Sequence, residues 1–166
     1  MTPYFFNACW QIKKACQNHL DDLKKSKDKD YPYMFDKDKA EGICEFAELM
    51  PHVKGKWMGT FIVLEPWQCF AFCVVIGWVK KVDGFRRYRE ILWMIPRKNT
   101  KSTMGAILCN FLTFADGEKG AEGYTAANSE SQAYEVFRPA WLMVKKSPEF
   151  QKIFNIEFMG ISNTKN

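Results

Sequence analysis

Apolar residues recur at helical spacing near the start of the chain, at Phe5, Cys9, Ile12, Cys16, Leu20 and Leu23. Thr2-Pro3 before them is a suitable cap and first-turn pair. After a polar linker, Ala40, Ile43, Ala47 and Met50 share one helical face behind Asp36, a natural cap, and Pro51 ends that helix. Phe61 to Leu64 reads as a short extended segment. Glu65-Pro66 opens a third helix that runs to about Val79, and Gly84 closes the turn after it. Arg86 to Ile95 has the pattern of a strand that begins polar and ends in the unbroken apolar run Ile91-Leu92-Trp93-Met94-Ile95. Such a run fits a strand buried on both faces, as in a parallel sheet. Pro96 to Thr100 is a loop and Lys101 to Phe114 a helix. Asp116-Gly117 and Gly120 mark a turn. A second short strand is expected over Ala121 to Ala127, a helix over Ser131 to Lys146 despite Pro139, a helical turn from Ser147-Pro148, and a further strand over Ile156 to Ile161. Strand, loop, helix, strand, helix is the rhythm of an α/β domain. No internal repeat interrupts it.

Composition narrows the class. The chain has 166 residues, of which 47% are apolar and 16% aromatic, so it can build a core and cannot remain a solvated tail. The longest nearly unbroken apolar stretch, Cys69 to Val79, is well short of the ~20 residues of a bilayer-spanning helix. Asn7, Gln11, Lys13 and Lys14 break up the first segment, so it lacks the apolar centre of a secretory signal. The expectation is a soluble intracellular protein with no membrane association. Its six cysteines contain no C-x-x-C pair and only His19 and His52 accompany them, which argues against structural zinc and for reduced thiols buried as small hydrophobes.

Charge is unevenly placed. Lys80 to Lys101 holds eight basic residues against Asp83 and Glu90, an excess larger than the net +5 of the whole chain. Asp21 to Lys39 holds six Asp and six Lys and cancels, as a solvated helix end and linker does. The basic segment is either a solvated surface or a site for phosphates.

The stretch Ile95-Pro96-Arg97-Lys98-Asn99-Thr100-Lys101-Ser102 joins the apolar strand to the next helix. A phosphate-binding loop has the form G-x-x-x-x-G-K-[ST] in that setting. Backbone N–H groups and the helix N-terminus face the phosphates, Lys reaches their oxygens and the hydroxyl meets Mg²⁺. Lys101 and Ser102 match, whereas Ile95 and Thr100 occupy the glycine positions. On this motif alone, a basic loop capping a helix explains the residues as well.

The ordered neighbours add specificity. Leu64-Glu65-Pro66-Trp67-Gln68, Ile76-Gly77-Trp78 and Trp93-Met94-Ile95-Pro96-Arg97-Lys98-Asn99-Thr100-Lys101-Ser102 together resemble the ATPase domain of the large terminase subunit of tailed bacteriophages. That family's loop reads P-R-K-N-G-K-S after an apolar strand, preceded by P-W-Q and G-W. The similarity continues through Asp116-Gly117-Glu118, Tyr124-Thr125-Ala126-Ala127, Gln132-Ala133 and Met143-Val144 to Ser147-Pro148, and includes the Tyr33 to Gly55 lead-in.

The resemblance implies a P-loop NTPase fold, a parallel sheet flanked by helices. It divides the chain into a helical lead-in, 1–55, and the first part of the ATPase domain, 56–166. It implies ATP and Mg²⁺ as cofactors, held by Pro96, Arg97, Lys98, Asn99, Thr100, Lys101, Ser102 and Thr103. Lys101 would bind the phosphates, Arg97 sense or stabilise the γ-phosphate, Ser102 help hold Mg²⁺, and Gln68 contact adenine through an amide that both donates and accepts. Trp67 reads better as a packed core residue. Asn128 and Gln132 follow the second strand, where related motors touch DNA or relay the nucleotide state, although Asn128 serves equally as a helix cap. Arg86, Arg87 and Arg89 face DNA phosphates or begin a solvated strand.

The partners implied are double-stranded phage DNA, the small terminase subunit and the portal of the procapsid, with a homo-oligomeric ring in the complete protein. The implied location is the host cytoplasm and, transiently, the procapsid portal, but not the mature virion. Two departures qualify this. Thr100 stands where the family has glycine, which costs energy if the loop needs a positive φ there. The family's acidic motif, an apolar strand ending in Asp-Glu, is not among the carboxylates Asp116, Glu118, Glu122, Glu130, Glu135, Glu149 and Glu157 that follow Ser102. The sequence therefore looks like the first part of a terminase, from a truncated frame or a split gene, with little turnover alone. A non-catalytic nucleic-acid or partner-binding fragment using residues 80–101, or a decayed fragment with an uncovered sheet, are the other readings.

Overall fold

The computed structural model describes residues 8–156. Thr2-Pro3 and Phe5, and nearly all of the strand expected from Ile156 to Ile161, lie outside them. The elements are α1 (Trp10–Lys25), β1 (Tyr33–Phe35), α2 (Lys37–Glu48), α3 (Pro66–Gly77), β2 (Trp78–Lys80), α4 (Lys101–Asn110) continuing into a π-helical turn (Phe111–Ala115), α5 (Glu130–Lys145) and α6 (Pro148–Ile153). They form two compact units, residues 8–44 with Glu65–Leu92, and Glu45–Leu64 with residues 93–156. Each unit draws on both sides of residue 55. Among the described residues no helix is long and apolar enough to cross a membrane.

Local chemistry sets most helix starts. Asp36 accepts the Lys39 N–H at 3.0 Å through its carboxylate and opens α2. Glu65 and Gln68 form a capping box at α3, with Pro66 in the first turn. Pro148 occupies the same kind of position in α6. At α5 the cap is Ser129, whose side chain accepts the Gln132 N–H. Asn128, one residue earlier and exposed, does not cap the helix.

In the first unit α3 stops at Gly77, two residues before the expected end. Trp78–Lys80 turns extended and pairs antiparallel with Tyr33–Phe35, in the register Tyr33↔Lys80, Met34↔Val79 and Phe35↔Trp78. A glycine is required at 77, because a Cβ there would lie 2.7 Å from the Phe35 ring and 2.8 Å from the Ala40 methyl. Ala40, Ile43, Phe72, Ile76, Trp78 and Val79 are buried. The stripe expected to seat α1 is only partly used: Ile12 and Leu20 are half exposed and the buried residue of α1 is Asp22. Polar and aromatic partners, described below, hold that helix in place of an apolar seam.

In the second unit α4 packs on α5, and α5 on α6. Met104, Ala106, Ile107, Ala140, Met143 and Val144 are buried. The Phe150 ring meets those of Phe46, Phe114 and Phe154. Asn110 Nδ2 donates to the Ala140 carbonyl at 3.0 Å, a buried link between α4 and α5. There is no room for a side chain at Gly123, where a Cβ would lie 2.8 Å from the Cys109 sulfur.

Helix and strand are mixed, as expected, but the sheet differs from expectation. Among the described residues it is two-stranded and antiparallel, not parallel. Arg86 makes one isolated bridge to Val79, and residues 88–95 carry no ladder. Leu92 and Met94 are 85% and 87% exposed, so this run is not buried on both faces. A parallel strand becomes buried only when neighbouring strands pair with both its edges and helices cover its faces. No described strand pairs with this one. Ala121 to Ala127 likewise forms no strand. Its alanines and Gly123 have weak β preference, and the Gly123 backbone lies close to Cys109 and Thr113 instead. Phe61 of the segment Phe61 to Leu64 makes a single bridge, to Pro51.

Candidate phosphate-binding loop

Pro96 to Thr100 is exposed and leads directly into α4. Two of its residues have positive φ, Lys98 at 68° and Thr100 at 54°, while Arg97, Asn99 and Lys101 do not. The sign of φ therefore alternates from Arg97 to Lys101. Alternating signs of φ are the backbone pattern from which anion-binding nests are built. The loop keeps this geometry without glycine. The cost falls on Thr100, a β-branched residue in the left-handed region with ψ 15°.

The helix start adds to the nest. Met104 N–H bonds to the Thr100 carbonyl at 2.9 Å, the first bond of α4. The N–H groups of Lys101, Ser102 and Thr103 precede that bond and lie outside the helix's own ladder. The Thr100 side chain does not cap them. No acidic residue stands in this first turn. Lys101 is exposed, and Ser102 and Thr103 are half-buried. The opposite face of α4, with Met104, Ile107 and Asn110, is buried and fixes the turn in place. At Gly105 an added Cβ would lie 3.3 Å from Val136 on α5, so the two helices approach closely there.

The donor set suits a polyphosphate with magnesium. The nest and helix N-terminus supply N–H donors, and Arg97, Lys98 and Lys101 supply charge. Among the described residues no group of three or more His, Cys, Asp or Glu is placed to hold a metal. A hard cation here would rely on the Ser102 hydroxyl and the phosphate oxygens.

The other expected site residues are placed differently. Gln68, in the first unit, is buried and its Oε1 accepts the Glu65 N–H at 2.9 Å. Its amide oxygen is thus engaged in the α3 cap. Trp67 is 41% exposed, not packed in a core. Asn128 and Gln132 are exposed.

Arg87 does not stand in solvent. Its guanidinium donates to Asp22 Oδ2 at 2.7 Å and to the Tyr31 hydroxyl at 3.1 Å, and lies over the rings of Tyr33, Trp78 and Tyr88. Tyr31 also donates to Asp22, at 2.9 Å. Burial alone would raise the Asp22 pKa, but these two hydrogen bonds and the Arg87 charge outweigh it and hold the carboxyl below its ordinary value. Beside this group Trp78 Nε1–H donates to His19 Nδ1 at 3.0 Å, and burial lowers the His19 pKa. Arg86 and Arg89 remain at the half-buried and exposed start of the following segment. Sequence reasoning missed Asp22 and Tyr31, because the Asp21 to Lys39 tract reads as self-cancelling, and missed His19, whose partner Trp78 is distant in the chain. The cysteines also differ from expectation: Cys9 is exposed and the other five are half-buried free thiols, none fully enclosed.

Comparison with known proteins decides the family. A model of the terminase large subunit ATPase domain matches residues 66–165, more than half of the chain. The chain belongs to that family. Membership carries ATPase chemistry and nucleotide binding as family properties, in a motor that packages DNA. No curated protein and no solved structure matches the chain.

Proposed function

We propose that this terminase domain binds ATP through the loop from Pro96 to Thr103 and is the nucleotide-binding part of a bacteriophage DNA-packaging motor. The observation that carries the reading is the alternation of φ at Lys98 and Thr100 immediately before α4. Family membership alone would be compatible with a collapsed loop; the alternating φ just before a helix whose opposite face is buried supports a loop that can present N–H donors to an anion.

In this reading the backbone N–H groups of Lys98 to Ser102 surround the phosphates. Lys101 neutralises the β and γ oxygens, Arg97 reaches the γ-phosphate from the loop's start, and Ser102, with Thr103 beside it, supplies the hydroxyl for Mg²⁺. Bound Mg²⁺ would contribute charge neutralisation of the phosphates. Double-stranded DNA, the small subunit, the portal and a ring of like subunits are the partners the family implies, in the host cytoplasm and at the procapsid portal.

The test is a titration with MgATP. Binding should weaken about 10–100-fold in Lys101→Ala, the loss of a charge-assisted contact. Saturation unchanged by that substitution, or no binding at millimolar nucleotide, would overturn the proposal. Hydrolysis by this chain should be negligible, because no Asp-Glu pair ending an apolar strand follows Ser102 in it. Steady release of phosphate that depends on Lys101 would refute that part. The alternative of a nucleic-acid patch over residues 80–101 loses Arg87 to its internal carboxylate. Salt-sensitive DNA binding indifferent to ATP would restore it.

A further inference from the structure

The three thiols of the first unit's α2 and α3 are not used by any role above. Cys44 on α2 and Cys73 on α3 lie with their sulfurs 3.5 Å apart, each half-buried. Cys73 also reaches the Ala40 carbonyl, one turn before Cys44, at 3.4 Å. The helices approach this closely because Gly77, one turn after Cys73, has no side chain to separate α3 from Ala40. Cys69, one turn before Cys73, influences both sulfurs. The three thiols do not make a metal group.

We propose that Cys44 and Cys73 are a reversible disulfide pair, closed by exchange with a small-molecule disulfide such as oxidised glutathione, that staples α2 to α3. The sulfurs need to close by about 1.5 Å to reach bonding distance.

Either thiol can begin the exchange. Burial raises the pKa of both thiols, so the exchange proceeds through the small thiolate fraction of either one. When Cys73 begins, its thiolate attacks one sulfur of oxidised glutathione, and the other leaves as glutathione thiolate and takes up a proton. Cys44 then loses its proton and attacks the Cys73 sulfur of the mixed disulfide, releasing the second glutathione. Two protein thiols are oxidised by two electrons and one glutathione disulfide is reduced to two thiols. The bond closes a loop of 28 intervening residues and so restricts the unfolded chain.

The protein is incubated with oxidised glutathione, the remaining thiols are alkylated, and chymotryptic peptides are mapped without reduction. Cleavage after Phe70 and Phe72 separates Cys69 from Cys73. The expected product is an intramolecular Cys44–Cys73 link, a loss of two hydrogen masses, and a higher midpoint of thermal unfolding that reductant reverses. Cys44→Ser should keep one glutathione on Cys73, and Cys73→Ser should leave Cys44 without a link. A link through Cys69, a disulfide between molecules, or a Cys44–Cys73 pair still reduced when the exposed Cys9 is already modified would overturn the proposal. The mapping of the unaltered chain decides this even if a variant fails to fold.

Discussion

Arg87 and Lys101 belong to the same basic stretch of sequence, yet they are in opposite physical situations. Arg87 is caged: carboxylate and phenol accept from it, three aromatic rings surround it, and its side chain is 21% exposed. Lys101 is exposed at the head of α4, where no acidic residue of the first turn competes for it. One cation is consumed in holding α1 and the β2 region of its unit together. The other remains available to a ligand. Charge density along the chain therefore locates positive residues but does not assign them. Burial and partner decide which are structural and which can meet a phosphate.

Removing the two charges should separate the roles, and the largest effect is expected at Arg87. Arg87→Ala leaves Asp22, 9% exposed, with only the Tyr31 hydroxyl and the solvent-exposed Lys25 ammonium at 3.6 Å. Breaking a buried pair costs about 3–5 kcal/mol, and some residual exposure here reduces that to roughly 2–4 kcal/mol. Chemical denaturation should show the loss, while MgATP affinity per folded molecule stays unchanged. Arg87→Lys keeps the charge but loses the planar contacts with the rings and both acceptors, so a partial loss is expected. Lys101→Ala should do the reverse, shifting stability by no more than about 0.5 kcal/mol while nucleotide binding falls. If Arg87→Ala melts like the unaltered chain, the cage has no energetic content and the contrast fails.

Acid should reveal the same cage with a smaller effect. The His19 pKa lies below its ordinary 6.5, so the unfolded chain binds that proton more readily. Its contribution is complete above about pH 6.5 and is lost as pH falls through the lower folded value. Asp22 also titrates below its ordinary 3.8 when folded, and its contribution disappears in a second, more acidic window for the same reason. Denaturant midpoints followed from pH 7 to pH 3 should fall first below 6.5 and again below 3.8. Asp22→Asn should remove the second step. A flat profile between pH 7 and 5 would show that burial of the His19 imidazole contributes nothing measurable.

The parts of this arrangement that sequence discloses are those set by neighbours in the chain. Asp36, the Glu65-Pro66 pair, Pro148 and the Lys101-Ser102 step each mark a helix start through caps or first-turn chemistry, and each start lies where it is expected. Pairing of Tyr33–Phe35 with Trp78–Lys80 is not legible in that way. It joins positions more than forty residues apart, and Trp78 and Val79 continue an apolar run that suits a helix equally well. The same holds for Asp22 and Arg87, whose partnership is long-range. Ile91 to Ile95 shows the converse: the apolar run is strand-like in sequence, but pairing requires a partner that its own residues do not specify. In the loop, the position of the site is visible from Lys101 and Ser102, whereas the positive φ of Lys98 is not, since nothing about lysine announces it.

The smallest expected effect concerns how a loop without glycine keeps its nest. Thr100 holds φ 54° and ψ 15°, a conformation that costs an L-residue roughly 1–2 kcal/mol. Glycine at that position removes the steric cost but adds chain entropy to the unfolded state, about 0.5–1 kcal/mol in the opposite direction. The balance for Thr100→Gly is a gain below about 1 kcal/mol, or a few degrees in thermal midpoint for a chain of this size. Nucleotide affinity should hold or rise modestly, because glycine adopts the same left-handed conformation without the steric cost. Thr100 takes part in contacts of its own, so Thr100→Ala is the necessary companion. Alanine sheds the hydroxyl and the branch while keeping the left-handed penalty of a Cβ. If glycine stabilises and alanine does not, the backbone conformation carries the cost, and the loop is strained toward the shape that a phosphate needs. If both destabilise equally, the threonine side chain outweighs the strain, and the nest is held by that side chain despite its φ.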